Sequence, residues 1–278
     1  MCGFDRVATT FDDADFVHCE TRRRLLARLE LVKLEPARVI DLGAATGKGS
    51  VELAAAFPAA RIIAVDRSVG MLGRTRARCA DEATIAVLAG DAERLPLADH
   101  SADLIFANLL LPWCAPEIVF SEAARVLREG GVVSFATVGP ETLAEVRQAW
   151  SGIDDAIHVH GFVDMHDLGD LLLRAGLTEP VMDIDTLHVT YRDVVALVAD
   201  LRACGATNVA GGRRTTLTGR ARWSAFRDAL EATCVGDRFA ITVELVFGQA
   251  FGGGEVATRE PGDAVISAEE MLRQLRRG

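Results

Sequence analysis

The sequence predicts an α/β protein with a doubly wound, mostly parallel sheet, and three observations carry that prediction. Short apolar runs alternate with amphipathic stretches through the first half of the chain. A glycine-bearing turn follows the first apolar run. The apolar half of the composition is mostly Ala, Leu and Val, with aromatic residues at 6% and Tyr191 as the single tyrosine. That aliphatic content suits helices packed on a parallel sheet better than a β-sandwich. The chain, 278 residues long, can bury a substantial core.

The elements follow in order. Residues 12–31 read as an amphipathic helix with Phe16, Cys19, Leu25, Leu26 and Leu29 near one face, and Pro36 breaks it. Arg38–Leu42 is a short run with β-branched residues, hence a buried strand. Residues 48–57 are helical, 61–65 a second strand, 70–79 a helix and 85–88 a third strand. A fourth strand covers 102–107, a helix 116–128, and a fifth strand 132–137 after Gly130 and Gly131. Five strands separated by helices argue a parallel sheet. Beyond them, 140–150 and 164–175 read as helices, 181–191 as a strand, 193–204 and 220–233 as helices, and 239–251 as a long alternating strand. The expected organisation is an N-terminal lid helix over 1–34, a main domain over 35–252 with a helical insertion near 191–235, and a polar tail over 253–278. That tail carries a short helix at 267–277.

The formal net charge of −10 disfavours a nucleic-acid partner. Two arginine clusters interrupt the acidity: Arg22, Arg23, Arg24 and Arg28, then Arg213, Arg214, Arg220 and Arg222. The six cysteines form no C-x-x-C pair and read as reduced thiols of a cytoplasmic protein. No apolar stretch reaches the ~18 residues needed to span a bilayer, so no membrane partner is expected.

Chemistry concentrates at the ends of the expected strands. Asp41 ends the first, Asp66 the second, and Asp91 follows the third. In doubly wound sheets, ligands bind at these carboxyl ends. The first turn reads Asp41-Leu-Gly43-Ala-Ala45-Thr-Gly47, not the G-x-G-x-x-G of a dinucleotide site. A dinucleotide brings an anionic pyrophosphate, best met by helix N–H groups. S-adenosylmethionine brings an ammonium and a sulfonium and no phosphate, so a carboxylate at this turn favours it. Asp66 would accept from the ribose hydroxyls, with Met71 on the ribose side. Asp91 and Ala92 would lie against adenine, and Asn108 would close the methionine end. His158-x-His160 with His166 has no supporting carboxylate or thiol, so no metal is expected.

Four segments together resemble class I S-adenosylmethionine-dependent methyltransferases: D-x-G-x-x-x-G, V-D-x-S-x-x-M-L at 65–72, G-D-A-E-x-L-P-L at 90–97, and D-L-I-F-A-N-L at 103–109. Residues 4–15, 110–114, 155–162, 165–170 and 201–208 are similar to the malonyl-acyl-carrier-protein O-methyltransferases of biotin synthesis. The resemblance implies a Rossmann-like sheet with an antiparallel last strand and an inserted helical cap. It implies carboxyl O-methylation of malonyl-acyl carrier protein, or malonyl-CoA, with S-adenosylmethionine as cofactor. Asp41, Gly43, Ala45, Gly47, Asp66, Met71, Asp91, Ala92 and Asn108 would hold the cofactor, and Phe11, Trp113, His158 and Phe162 the acyl group. An acidic carrier protein would dock on Arg22, Arg23 and Arg24 or on Arg213, Arg214, Arg220 and Arg222.

The chain departs from that family's pattern at four places. Ala45 replaces a glycine, Phe11 a tyrosine, Pro112 a glutamine, and His160-Gly161 an Asn-Arg pair whose arginine would suit a malonyl carboxylate. Two alternatives therefore stay open. One is a relative that modifies a protein arginine or another acceptor, as in a mitochondrial complex I assembly factor of similar layout. The other is a non-catalytic binding or assembly module.

Overall fold

A computed structural model describes residues 3–214 and 216–253. The tail beyond Gly253, with its expected helix at 267–277, lies outside the described residues. Seven strands form one sheet: β1 (Arg38–Leu42), β2 (Arg61–Asp66), β3 (Ile85–Ala89), β4 (Ala102–Asn108), β5 (Leu127–Val138), β6 (Leu177–Tyr191) and β7 (Phe239–Gly252). Their order is β3-β2-β1-β4-β5-β7-β6. The first five pair in parallel, whereas β7 runs antiparallel to both β5 and β6. The sheet is thus the doubly wound α/β arrangement the sequence predicts, with a reversed last strand.

Among the described residues, eight α-helices surround it: α1 (Phe16–Leu29), α2 (Lys48–Ala56), α3 (Val69–Arg78), α4 (Pro116–Val126), α5 (Ala144–Ser151), α6 (Met165–Arg174), α7 (Val194–Ala203) and α8 (Arg220–Glu231). Alternate residues of the strands face opposite layers. Leu25 and Leu29 of α1 and Leu53 of α2 pack with Val39, Ile62, Leu104 and Phe106 on one face. Phe120 and Ala123 of α4, with Leu168 and Leu172 of α6, pack with Ile40, Ile105 and Phe135 on the other. Central β4 is buried along almost its whole length, so it reads as a continuous apolar run rather than an alternating one.

The long β6–β7 pair positions the cap. β5 pairs with β7 only from Val138↔Leu245 to Val132↔Phe251, while β6 follows β7 on to Tyr191↔Phe239. The 239–244 stretch therefore extends past the C-terminal end of β5. It carries a second apolar cluster in which Val146 and Trp150 of α5, Val194 and Leu197 of α7, and Phe226 and Leu230 of α8 pack on Phe239 and Ile241. Helices α7 and α8 lie between β6 and β7 in the chain, where the helical insertion is expected.

Several element bounds differ from expectation, each for a local reason. Helix α1 begins at Phe16 because Phe11–Asp13 forms a separate 3-10 turn. Asp12 there accepts from Thr46 and Arg78 instead of capping a helix. Helix α5 begins at Ala144 because Leu143 is left-handed (φ 60°), and the Glu141 and Thr142 groups bond to Glu244. Strand β5 starts at Leu127, passing through left-handed Gly130 where a turn is expected. Strand β6 starts four residues early, at Leu177, across a bulge at Thr178/Val181 that contains left-handed Glu179.

Gly248 shows how closely β7 is packed: a Cβ there would run into the ring of Phe135, with the Met182 sulfur 2.9 Å away. Overpacking of this kind costs about 1–3 kcal/mol. Gly248→Ala is therefore expected to lower the thermal midpoint by about 4–8 °C for a domain of this size, measured by calorimetry.

Candidate active site

The strand tips of the parallel half converge on the turn after β1. Gly43, Ala45 and Gly47 all have left-handed backbones (φ 77°, 48° and 83°). Glycine takes this conformation without strain, whereas Ala45 bears a Cβ penalty on the order of 1 kcal/mol. The turn is held by its own donors: Gly43 and Ala44 N–H donate to the Val65 carbonyl at 2.8 and 3.0 Å, and Gly47 N–H to Ala44 at 2.8 Å. Ala45 N–H donates to Asp66 Oδ2 at 2.9 Å, and its carbonyl accepts from Thr75 Oγ1 at 2.7 Å. No N–H at these four positions is left for a phosphate.

A first cavity of about 320 Å³ opens beside this turn, lined by Gly43, Ala45, Asp66, Met71, Asp91, Ala92 and Asn108 among others. Asp66, at the end of β2, also accepts from Ser68 N–H at 2.8 Å, and burial holds its carboxyl above the usual range. Asp91 is half-exposed, accepts from Glu93 N–H and lies 3.9 Å from Arg67. Asn108 donates to the His18 carbonyl at 3.1 Å, and its Oδ1 is buried without a hydrogen-bond partner. Ala45 leaves the cavity open despite its methyl.

Two expected residues fall elsewhere. Asp41 lines a smaller adjoining cleft of about 30 Å³ that shares Phe11, His18, Gly43, Ala45 and Asn108 with the first cavity. It is 3% exposed, accepts from Ser50 Oγ at 2.5 Å and makes no ion pair among the described residues. Burial pushes its carboxyl up to about 6, although Ser50 and the nearby Arg22 oppose the shift. Gly47 lines neither cavity, which corrects its expected contact role. It starts α2, and a Cβ there would meet the Thr75 methyl at 2.7 Å, so it serves the close approach of α2 to α3.

A second cavity of about 190 Å³, mainly apolar, continues from the first. The two share His18, Leu109, Trp113 and Thr207. Of the four residues expected at the acyl group, Trp113, His158 and Phe162 line the second cavity and Phe11 does not. Phe11 is buried on the side of the first cavity, 4.9 Å centroid-to-centroid from the His18 ring, because the 3-10 turn points it inward beside Ala8, Ala14 and Met71. His158 stacks on Trp150 (3.7 Å, 5°) and bonds Asp154 at 2.7 Å. Asp154 also pairs with Arg214 and Arg222. His166 bonds Asp164 at the start of α6. Among the departures, Pro112 and His160 line the second cavity, and Gly161 borders a small cavity of about 90 Å³ with open space at its Cβ position.

Sequence reasoning missed His18. It lines both cavities and the Asp41 cleft, and its Nδ1 is buried without a partner. Helical spacing in 12–31 gave no sign of it, because the residue sits beside the apolar stripe rather than within a motif. Phe4 was also missed as a lining residue; its ring meets Trp113 edge-on at 5.2 Å. The early arginine cluster needs correction as well. Arg22 is buried and paired with Glu52, Arg23 with Glu20, Arg24 with Glu20 and Asp185, and Arg28 with Asp183.

Comparison with known proteins agrees with this geometry. Residues 40–135 match the family described as a methyltransferase domain. Over 277 residues the chain is 38% identical to the malonyl-[acyl-carrier protein] O-methyltransferase of Gallionella capsiferriformans, covering 97% of this chain and 95% of that one. It is 40% identical over 257 residues to the enzyme of the same name from Laribacter hongkongensis, covering 89% and 86%. The fold is shared with geranyl diphosphate C-methyltransferase from Streptomyces coelicolor A3(2), solved with Mg2+, geranyl diphosphate and S-adenosyl-L-homocysteine. That pair has a TM-score of 0.52 at 12% identity, covering 84% of this chain and 78% of that one. With a polar cavity at the strand tips opening on an apolar one, and relatives matching nearly end to end, the chain belongs to the malonyl-[acyl-carrier protein] O-methyltransferase family.

Proposed function

We propose that this protein transfers a methyl group from S-adenosylmethionine to the free carboxylate of a malonyl thioester carried on acyl carrier protein, a step of biotin biosynthesis. The observation that carries the reading is the junction of the two cavities at His18, Leu109, Trp113 and Thr207. One side is lined by carboxylates; the other is an apolar chamber of a size for a short acyl chain.

The residues of the first cavity fit the cofactor. Asp41 is a buried carboxylate without an ion pair, and Asn108 Oδ1 is a buried acceptor without a donor, so both suit an ammonium group. The turn's N–H groups are engaged internally, which fits a ligand without phosphate. Asp66, Met71, Asp91 and Ala92 would hold the nucleoside, and Gly43 and Ala45 the turn around it. Gly47 supports the turn indirectly.

When bound, S-adenosylmethionine supplies an electrophilic methyl on its sulfonium. The acceptor carboxylate, with a pKa near ~4, is already ionised at neutral pH, so no general base is required. Trp113 and Phe162 wall the second cavity, and no Lys or Arg lines it. The acceptor oxygen is thereby kept poorly solvated and reactive, and the rate comes from positioning and water exclusion. His158, bonded to Asp154 and stacked on Trp150, shapes the wall. The N-terminal segment and the insertion act as a lid over the main domain. Phe4 abuts Trp113, and Thr10 donates to the Ala203 carbonyl.

The docking patch follows from which arginines are free of partners. The early cluster is neutralised internally, and Arg214 and Arg222 pair with Asp154. Arg213 and Arg220 are exposed, make no ion pair among the described residues, and follow directly from residues 206–208, which line the second cavity. Leu217, 93% exposed, lies between them. An acidic carrier protein would meet this stretch while its thioester arm enters the second cavity. Such a partner belongs in the cytoplasm, where the five described cysteines, all free, would stay reduced.

Three measurements test this reading. Incubation of malonyl-carrier protein with the enzyme and S-adenosylmethionine is expected to add one methyl by mass spectrometry; no mass gain would overturn the assignment. The double variant Arg213→Glu/Arg220→Glu is expected to raise KM for the carrier-bound substrate roughly tenfold at low salt, with KM for malonyl-CoA unchanged. Asp41→Asn is expected to weaken cofactor binding about tenfold or more, read by calorimetry. The same substitution stabilises the free protein. Asp41 has a folded pKa of about 6, raised from the ordinary ~4, so the fold prefers its protonated form. That stability is present at pH 4 and is lost as pH rises through about 6. The thermal midpoint of Asp41→Asn should match the wild type near pH 4 and exceed it above pH 7.

A further inference from the structure

Three imidazoles line the second cavity, and they differ in how they are engaged. His158 is committed: its Nε2 bonds Asp154 at 2.7 Å and its ring stacks on Trp150. His160 Nε2 and His18 Nδ1 are buried and have no hydrogen-bond partner among the described residues. A buried ring nitrogen left unsatisfied is unfavourable, so a ligand group that satisfies it binds the more tightly. His160 sits within the second cavity, its ring 5.7 Å from Trp113 and 4.7 Å from Phe162. His18 stands at the junction with the first cavity.

We infer that His18 is the residue that holds the acceptor carboxylate, its Nδ1–H donating to one carboxylate oxygen and leaving the other free to take the methyl. The inference rests on the function proposed above and adds a specificity-determining contact to it. Two facts favour His18 over its neighbours. Among the described residues no Lys or Arg lines the second cavity and Asp200 is its one carboxylate, so an acceptor carboxylate there is met by imidazole, amide or hydroxyl donors. His18 is also fixed in place: its carbonyl accepts from Asn108 Nδ2 at 3.1 Å, tying the start of α1 to the end of β4, and its ring packs on Phe11 at 4.9 Å. Burial, reinforced by nearby Arg22 and Lys48 and opposed by Asp15, pulls its pKa down to about 4. The imidazole is therefore neutral at working pH. It donates one hydrogen bond without neutralising the nucleophile, which a salt bridge to arginine would do. The step itself is a displacement in which the carboxylate oxygen forms the O–CH3 bond as the sulfonium S–CH3 bond breaks. S-adenosylhomocysteine leaves with the bonding pair, and His18 keeps its proton throughout.

The test compares His18→Leu and His18→Asn with the wild type, since the Asn amide nitrogen falls near the position of Nδ1. His18→Leu is expected to raise KM for malonyl-carrier protein about ten- to a hundredfold, the range for losing a hydrogen bond to a charged group. Because His18 also borders the first cavity, cofactor affinity is the internal control: it should fall far less than KM for the acid rises. His18→Asn should recover a large part of the loss. Inhibition by the methyl ester product supplies a second readout, because the ester carries no charge. His18→Leu should leave ester affinity unchanged while weakening the acid, a split that a merely structural role would not produce. An active wild type with His18→Leu unaffected overturns this inference and leaves the function standing, as does equal weakening of acid, ester and cofactor. A wild type that transfers no methyl to malonyl-carrier protein overturns the function and this inference together.

Discussion

The site depends on one interaction: the Asp66 carboxylate bridging the turn after β1 to the start of α3. Its two oxygens accept from Ala45 N–H and Ser68 N–H, so one side chain joins the tips of β1 and β2. Thr75 then closes the loop by donating to the Ala45 carbonyl. The left-handed run through Gly43, Ala45 and Gly47 would otherwise be a strained excursion. Held this way, the N–H groups of Gly43, Ala44, Ala45 and Gly47 are satisfied within the fold, while Asp66 and Asp91 supply carboxylates to the cavity beside them.

The second dependency is between the lid and the sheet extension. The cap helices pack on the stretch of β7 that outruns β5, and the end of α7 reaches Met71 of α3 through Cys204. The N-terminal segment meets them from the other side, with Phe4 against Trp113 and Gly205 so close to Phe4 that a Cβ would sit 2.8 Å from its ring. Its other anchors are polar: Asp12 with Arg78 and Thr46, Asp15 with Lys48, and Asp5 with Ser68 and Gly70. Ala8, Phe11 and Ala14 add a buried apolar contact with Met71 and Cys204, so the segment is fastened by polar and apolar contacts together.

Much of the parallel half was legible in the sequence because its signals are local. The strand runs at 38–42, 61–65 and 102–107 are mostly apolar and buried, and Asp66 and Asn108, next after the second and third of them, line the first cavity. Helix starts were less legible wherever a side chain prefers a distant partner. Asp12 looks like a cap, but its oxygens go to Arg78 and Thr46, and the helix begins four residues later than the pattern predicts. Asp41 looked like a lining carboxylate equal to Asp66 and Asp91; its burial behind Ser50 arises from packing against α1 and α2, which no spacing reveals. The early arginines looked like a surface patch, yet their partners Glu52, Asp183 and Asp185 are far away in sequence.

The acceptor side was the least legible, for a physical reason. A cofactor with fixed charges imposes residue types at defined strand tips, so its site leaves a motif. An apolar chamber with neutral donors imposes only size and polarity, which many residues satisfy. His18 enters it from a helix near the N-terminus, Trp113 from the turn after β4, His160 and Phe162 from the segment before α6, and Asn208 from the loop after α7. Apart from His160 and Phe162, these residues are distant in sequence, and only the fold brings them together. The family's usual arginine is replaced by Gly161, which leaves open space rather than a charge. A carboxylate entering such a chamber loses solvation without gaining a counter-ion, which raises its reactivity toward a sulfonium methyl and lowers its affinity. That exchange is workable only if binding energy comes from parts of the substrate remote from the reacting carboxylate.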